Sequence, residues 1–180
     1  MPPGAQLNCN LRWKLRRSRN KMPKAILDAT DRRILAELQT DGRLSNQELA
    51  ERVALSPSPC LRRVRALERA GVIRRYAALL DPLQVGLGLL AYVSVKLEKR
   101  GKMPVDQFTR AVEGWPEVIE CHSMTGDMDY LMRVHVEDLE HYSRFVMDKL
   151  LKQPGVIDIR TNFVLERVKE TTALPLGHLA

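Results

Sequence analysis

The sequence predicts an α+β protein, in which a helical N-terminal half precedes a half where strands and helices alternate. Three observations carry this prediction. Before residue 70, apolar residues recur three times at helical spacing, and two of these runs begin at a serine that can cap a helix. Beyond Asp81-Pro82 the pattern changes to two-residue alternation in four short segments. Helical spacing returns twice among those segments, which gives the order strand, helix, strand, strand, helix, strand.

The three N-terminal helices are short and close together. The first is expected over roughly Thr30–Thr40, and the capping box Ser45–Glu48 begins the second. A short break at Ala54-Leu55 precedes the third, which starts at Ser56 with Pro57 in its first turn, where a missing N–H costs nothing. This spacing is typical of a helix-turn-helix, whose second helix lies in the DNA major groove.

The third helix separates apolar from basic residues. At 100° per residue, its apolar face collects Cys60, Leu61, Val64 and Leu67. The opposite face collects Ser58, Arg62, Arg65 and Arg69. A basic helix face is often only a solvated surface. Here the capping box, the short turn and the guanidinium forks together predict DNA binding.

The net charge of +7 is concentrated in a short leader. Residues 1–24 contain seven lysines and arginines and no acidic residue, which equals the whole net charge. Residues 56–76 hold six arginines against the single acid Glu68, whereas residues 83–180 carry two more acids than bases. This asymmetry assigns DNA contact to the N-terminal half.

The leader, residues 1–24, is expected to be disordered. It is either an arm that adds phosphate contacts or a start-site artefact, which we favour because Met22 begins a plausible shorter protein. The first twenty-odd residues lack the apolar segment of a secretory signal, and no apolar run approaches the ~18–20 residues of a membrane span. We therefore expect a cytoplasmic, nucleoid-associated protein with no membrane partner.

The second half predicts a split βαβ, or ferredoxin-like, domain over residues 89–172. The strands are expected over Leu90–Leu97, Val118–Met124, Tyr130–Val136 and Val156–Leu165. The turn at 125–129 is short enough for a hairpin. Because the helices would cover one face of the sheet, we expect a second subunit to cover the other.

Three further boundaries complete the predicted organisation. Residues 25–76 are expected to form a winged helix-turn-helix domain. The segment Val72–Leu80 reads as a strand, or as a wing followed by a connector, and a linker strand is expected over 77–88. Residues 173–180 are expected to be a C-terminal tail.

Several motifs in this order resemble the leucine-responsive regulator/asparagine-regulator (Lrp/AsnC) family of bacterial and archaeal transcription factors. The motifs are Asp31–Leu35, Gly42–Asn46, Leu55–Val64, Glu120–His122, Thr125–Leu131 and Phe163–Lys169. The resemblance covers about residues 25–175. It implies a winged helix-turn-helix joined by a strand linker to a ferredoxin-like amino-acid-sensing (RAM) domain. It also implies homodimers, which usually assemble into larger discs, often octamers.

On this resemblance, each subunit of the dimer lays residues 56–65 into the major groove of promoter or operator DNA. Arg62 and Arg63 are the expected base or phosphate contacts. The full predicted DNA-binding set is Ser45, Asn46, Ser56, Pro57, Ser58, Arg62, Arg63, Arg65, Arg74 and Arg75. Of these, the residues at 45, 46, 74 and 75 should mainly hold phosphates.

In the family a free amino acid binds between dimers, close to the hairpin that spans residues 125–129 here. Asp129 is preferred over Asp127 for the ligand ammonium, and N–H groups around Gly126 can donate to its carboxylate. Met124 suits an aliphatic or thioether side chain, which favours leucine, methionine or a similar effector. The predicted effector set is Ser123, Met124, Thr125, Gly126, Asp127, Asp129, Tyr130 and Thr161. The alternative for the hairpin residues is an ordinary turn.

Two other functions stay open. An architectural DNA-binding protein that ignores small molecules would carry the same helical motifs. A metal-dependent enzyme would need Asp127, Asp129, His122 and His135 to cluster. However, the chain has no H-x-x-x-H, no nucleophile motif and no phosphate loop, and its three cysteines are widely spaced. We therefore expect no catalytic residue, no metal, and no cofactor besides the amino-acid effector.

Overall fold

The structure is a computed structural model that describes residues 26–98 and 103–179. Within these residues the chain forms two compact units. The first unit consists of the residues up to Ala78 together with those from Lys169 onward. The second unit is Leu79–Val168. The predicted basic leader, with the alternative start at Met22, lies outside the described residues.

The first unit contains three helices around a small apolar core. They are α1 (Ala29–Thr40), α2 (Asn46–Arg52) and α3 (Pro57–Arg69). The buried core residues include Ile34, Leu35, Leu49, Ala50, Val53, Cys60 and Leu67. These residues recur at helical spacing on all three helices, so each helix turns one stripe toward a common centre.

Local side-chain chemistry sets where two of these helices begin. Asp28 and Asp31 form a capping box for α1, in which each side chain accepts a hydrogen bond from the other residue's backbone N–H. Ser45 and Glu48 do the same for α2, as the sequence predicts. At α3 the expected capping hydrogen bond from the Ser56 side chain is absent. The helix begins at Pro57, whose fixed φ suits the first turn of a helix.

The connection from α3 to the first strand contains no strand. Residues 74–80 follow an irregular course without pairing, and backbone hydrogen bonds make turns over 82–87. The expected strand over Val72–Leu80 and the expected linker strand over 77–88 are therefore absent. The sequence has the apolar character of a strand, but Leu79 and Leu80 remain 75% and 70% exposed. In a single chain no neighbouring strand is present to complete their hydrogen-bond ladder.

The second unit has the predicted ferredoxin-like order. Its elements are β1 (Leu89–Leu97), α4 (Met103–Glu113), β2 (Val118–Ser123), β3 (Tyr130–Val136), α5 (Leu139–Arg144) with a π-helical extension (Phe145–Leu150), and β4 (Val156–Phe163). The strands form one antiparallel sheet in the order β2-β3-β1-β4. The predicted fold class is confirmed, and β3 has the predicted bounds.

The core of this unit lies between one face of the sheet and its helices. Alternate residues of β1, from Ala91 to Leu97, point into it and are fully buried or nearly so. Aromatic rings fill the centre: Trp115 meets Phe108 and Phe145 edge-on, with centroid distances of 6.1 and 5.5 Å. The opposite face of the sheet carries the intervening residues, among them Tyr92, which is 38% exposed.

The loop before β2 is held by a shielded carboxylate. The Glu117 side chain is only 10% exposed, and the Lys149 ammonium on the π-helical extension donates to its Oε1 at 2.5 Å. His141 approaches the same oxygen at 3.7 Å. Burial alone would raise the pKa of Glu117, but the hydrogen bond and charge of Lys149, a backbone hydrogen bond and the hydrogen bond with His141 together outweigh it, and the pKa is lowered. The ion pair therefore fixes the last helix against the entry to β2.

Candidate functional site

α3 turns a row of basic side chains toward solvent. Ser58, Leu61, Arg62, Arg65 and Arg69 line a shallow concavity of about 230 Å³. On the other side of the helix Cys60 is fully buried, and this burial raises the pKa of its thiol. The three arginines of the exposed face form no hydrogen bond or ion pair with the described part of the chain. Their guanidinium groups are available to an outside partner.

Arg63 is directed away from this face. Its Nη1 atom donates to Asp28 Oδ2 at 2.7 Å and to Asp31 Oδ1 at 2.8 Å. The Asp31 backbone amide and the Arg63 guanidinium lower the pKa of Asp28, and the two carboxylates raise the pKa of Arg63. Because successive residues of a helix are rotated by about 100°, the side chain of residue 63 is directed toward the start of α1, whereas that of Arg62 is directed toward solvent. The expectation that Arg63 contacts DNA is thus at odds with the structure, in which it ties α3 to the start of α1.

The remaining predicted DNA contacts surround α3. Ser56 and Pro57 are exposed at its start, and Arg74 and Arg75 are exposed after its end. Asn46 is committed within the domain, since its Nδ2 donates to the Pro57 carbonyl at 2.9 Å.

Ser45 lies directly before α2 and forms the capping box of that helix with Glu48. Its hydroxyl accepts a hydrogen bond from Glu48 N at 3.2 Å, and the residue is exposed. The hydrogen bond from Asn46 thus joins α2 to the start of α3, and the phosphate-contact role of Ser45 and Asn46 stays a prediction.

A second cavity, of about 350 Å³, lies at the hairpin end of the sheet. Its lining residues are Leu97, Glu98, Val105, Ser123, Met124, Asp129 and Tyr130. Four members of the predicted effector set are therefore brought together here, at positions 123, 124, 129 and 130. Thr125, Gly126 and Asp127 are exposed in the turn and do not line this cavity. Gly126 has φ of 112°, a conformation that favours glycine.

Asp129 is the most firmly placed polar group of the cavity. Its Oδ2 accepts a hydrogen bond from Leu97 N at 2.8 Å. Its own N–H donates to the Val95 carbonyl at 3.0 Å, and its carbonyl accepts from Met124 N at 2.8 Å. The hairpin thus holds the carboxylate against the end of β1, and Oδ1 makes no hydrogen bond to a described residue.

Apolar side chains also line the cavity. Val105 on α4 is 39% exposed and Met124 is 45% exposed. Tyr130 is buried beneath them, with its ring 4.8 Å from that of Phe108, and burial raises the pKa of its hydroxyl. A cavity lined by both a carboxylate and exposed apolar groups matches the two chemical parts of an apolar α-amino acid.

Sequence reasoning missed Leu97, Glu98 and Val105. The signal that could have located the first two is strand pairing: β1 runs antiparallel to β3, so the end of β1 lies beside the start of β3, with Val95 opposite Tyr130. Val105 depends on how α4 packs, which no local pattern encodes.

Thr161 is separate from this cavity. It pairs with Val93 on the side of β1 away from β3, and its hydroxyl shares a hydrogen bond with the Tyr142 hydroxyl on α5. Burial raises the pKa of Tyr142, and this hydrogen bond opposes the rise. Thr161 does not line this cavity, because β1 lies between β4 and the hairpin, and its contact with an effector stays a prediction.

The residues of the enzyme alternative do not assemble. His122 Nε2 lies 3.4 Å from Glu120 Oε2, an ordinary surface pair. Across residues 26–98 and 103–179, no group of three or more His, Cys, Asp or Glu side chains is placed to hold a metal ion. Over the same ranges, no helix has both the length and the apolar character to cross a membrane.

The fold and these two surfaces define a regulator that joins a DNA-binding helix-turn-helix to a small-molecule-binding domain. Residues 27–74 match the family model for a winged helix-turn-helix DNA-binding domain, and residues 90–174 match that for the Lrp/AsnC ligand binding domain. The leucine-responsive regulatory proteins of Salmonella typhimurium and Escherichia coli are 47% identical to the chain over 154 residues, which is 86% of this chain and 94% of theirs. The chain belongs to the Lrp/AsnC family of DNA-binding transcription regulators.

Solved structures agree with this assignment. A transcriptional regulator from Neisseria meningitidis, crystallised as a complex with L-methionine, is 51% identical with a TM-score of 0.83, covering 86% of this chain and 99% of that one. An AsnC family transcriptional regulator from Agrobacterium tumefaciens is 39% identical with a TM-score of 0.81, covering 86% and 100%. Both matches extend over the two domains.

Proposed function

We propose that this protein binds promoter DNA as a homodimer through the exposed face of α3, and that a leucine- or methionine-like amino acid at the hairpin cavity controls that binding. The observation that carries the effector half of the proposal is the fixed carboxylate of Asp129 in a cavity that the apolar side chains of Met124 and Val105 also line. A regulator of this kind acts where the chromosome is, in the cytoplasm.

The DNA-binding half rests on the spacing of the unpaired arginines. Arg62, Arg65 and Arg69 occupy successive turns of one helix face, so they offer three cationic forks along roughly 10 Å of helix. Such a row suits base edges and the phosphates that flank them. Arg74 and Arg75, exposed after the helix, add phosphate contacts. Arg63 is left out of the contact set because it is engaged with Asp28 and Asp31.

The dimer is supported by the uncovered face of the sheet. Tyr92, Ser94 and Lys96 on β1 alternate with its buried residues and lie on the face away from the helices. A second copy with the same surface would cover both faces by two-fold symmetry and would place two α3 helices for two half-sites. Assembly of dimers into an octamer is part of the same proposal, by analogy with the family.

The cavity offers one group for the polar part of an amino acid and others for its side chain. A ligand ammonium can donate to Asp129 Oδ1, while Oδ2 stays bound to Leu97 N. An unbranched or γ-branched apolar side chain then contacts Met124 and Val105. The Neisseria meningitidis regulator with bound L-methionine supports an effector of this class. An effector-independent architectural protein remains the competing function.

Calorimetric titration of the purified protein with L-methionine and L-leucine tests the effector. Asp129→Asn keeps an acceptor for Leu97 N but removes the charge, so affinity should fall about tenfold or more. Asp127→Asn makes the same change in the exposed turn and should bind normally. N-acetyl-L-methionine, which lacks the ammonium, should not bind.

Two results would refute the effector assignment. Equal losses for the substitutions at 127 and 129 would remove the cavity from the proposal. Absence of binding by any of the twenty amino acids, together with unchanged DNA affinity in their presence, would favour the architectural function.

A further inference from the structure

The end of the described chain lies on the first helix of the DNA-binding unit. Leu174 N donates to Gln39 Oε1 at 2.6 Å, and Gln39 Nε2 donates to the Leu174 carbonyl at 3.2 Å. One glutamine side chain thus pairs with both backbone groups of one residue, as a neighbouring strand would. The contact joins positions 135 residues apart in sequence, so it is tertiary structure and not a local turn.

A second anchor lies two turns earlier on α1. Arg32 Nη1 donates to the Leu179 carbonyl at 2.9 Å. Arg32 and Gln39 are seven residues apart, so they lie on one stripe of the helix. Between the anchors, a turn closed by Leu179 N and the Leu176 carbonyl at 3.0 Å shapes the segment.

The middle of the segment adds an apolar contact. Leu176 is partly buried and packs against the core formed by α1, α2 and α3. By contrast, Leu165 and Val168, which precede the segment, are 100% and 91% exposed. The apolar side chains at 165 and 168 are thus left exposed, whereas Leu176 contributes to the core of the helical unit.

We infer that residues 174–179 are a strap that completes the DNA-binding domain. The effector domain is then connected to the DNA-binding domain at both its N-terminal and its C-terminal end. One tether is the connection from α3 to β1, and the other is the chain after β4. The strap supplies apolar cover for the helix-turn-helix core and hydrogen-bond partners for α1. Its loss should loosen the helical unit without unfolding the sheet.

Hydrogen exchange on the full-length protein tests the strap. Leu176→Asp should raise the exchange rate of the slowest amides of α1 and α3 roughly tenfold, because a charge cannot stay in the apolar contact. Leu165→Asp introduces the same charge at a fully exposed site and should leave those rates unchanged. Exchange in β1 and β3 should be unaffected in both variants.

A double-mutant cycle gives the second readout. Gln39→Ala should speed exchange in α1 in the full chain, and this effect should disappear when residues from 174 onward are deleted. An equal effect of Gln39→Ala with and without the segment would overturn the strap, as would equal exchange in the two aspartate variants. Neither measurement involves DNA or an amino acid, so failure of the strap and failure of the proposed function are distinguishable.

Discussion

The exposed face of α3 and the hairpin cavity differ in how far the protein satisfies their polar groups. Arg62, Arg65 and Arg69 have no partner in the described part of the chain, whereas Asp129 already accepts a backbone hydrogen bond from Leu97. The first surface is left for a large partner that brings many acceptors of its own. The second is organised in advance for a small ligand, whose few contacts must compensate the freedom it loses on binding.

This difference has a consequence for substitutions. Removing a side chain from the α3 face takes away only contacts with the partner, so affinity changes and stability does not. Removing one from the hairpin also removes a contact that shapes the fold. The two surfaces are therefore separable by measuring binding and unfolding on the same variants.

The largest effect is expected for loss of two arginines from the α3 face. A single base-reading arginine is worth about 1–3 kcal/mol of specific binding, so Arg62→Ala with Arg65→Ala should weaken promoter binding by about thirtyfold or more. The melting temperature should not change. Fluorescence anisotropy with promoter DNA measures the first quantity and calorimetry the second.

Arg110→Ala is a control, because this arginine is also exposed but lies on α4. It should leave promoter affinity close to that of the unaltered protein. A loss as large as that of the double variant would mean that net charge, and not the α3 face, carries binding.

A smaller effect is expected at the apolar end of the cavity. Met124→Ser should weaken binding of L-methionine and L-leucine by about tenfold, since roughly 1.5 kcal/mol of apolar contact is lost. Binding of L-alanine, which does not reach this side chain, should be unaffected. Met147→Ser, at a residue that is 60% exposed on the last helix, is the control, and equal affinities for both variants would contradict the assignment of Met124.

The neighbouring arginines Arg62 and Arg63 should respond in opposite ways. Arg63→Ala breaks the pairs with Asp28 and Asp31, so the melting temperature of the helical unit should fall. Arg62→Ala should lower promoter affinity with the melting temperature unchanged. If Arg63→Ala lowers promoter affinity but not the melting temperature, the ion pairs do not persist in solution. Arg63 is then a DNA contact, as the sequence predicts.

The smallest effect is a pH dependence at the loop before β2. The pKa of Glu117 is lowered in the folded state, so its ion pair contributes stability above the ordinary value of 4.5 and loses it as the pH falls through the folded value. Glu117→Gln should therefore reduce the loss of stability between about pH 5 and pH 3. Urea unfolding at several pH values in this range measures the free energy of unfolding of both proteins. The same pH dependence in both would contradict the role of the ion pair.

The helical starts and the strand order could be predicted because they depend on neighbouring residues. The capping box of Ser45 with Glu48 and the alternation of Tyr130–Val136 are examples. The side-chain partners could not be predicted in this way. Arg62 and Arg63 are adjacent and alike in sequence, and only the position of α1 separates their roles. The position of Thr161 relative to the hairpin likewise depends on the order of the strands in the sheet.

The strap on α1 also bears on how the protein is handled in the laboratory. An affinity tag or fluorescent protein fused after residue 180 would be separated only by Ala180 from Leu179, whose carbonyl accepts a hydrogen bond from Arg32. Such a fusion would strain the DNA-binding unit at the opposite end of the sequence. Fusions placed ahead of Met1 leave the Leu179 end of the chain unaltered and are the better choice for labelling.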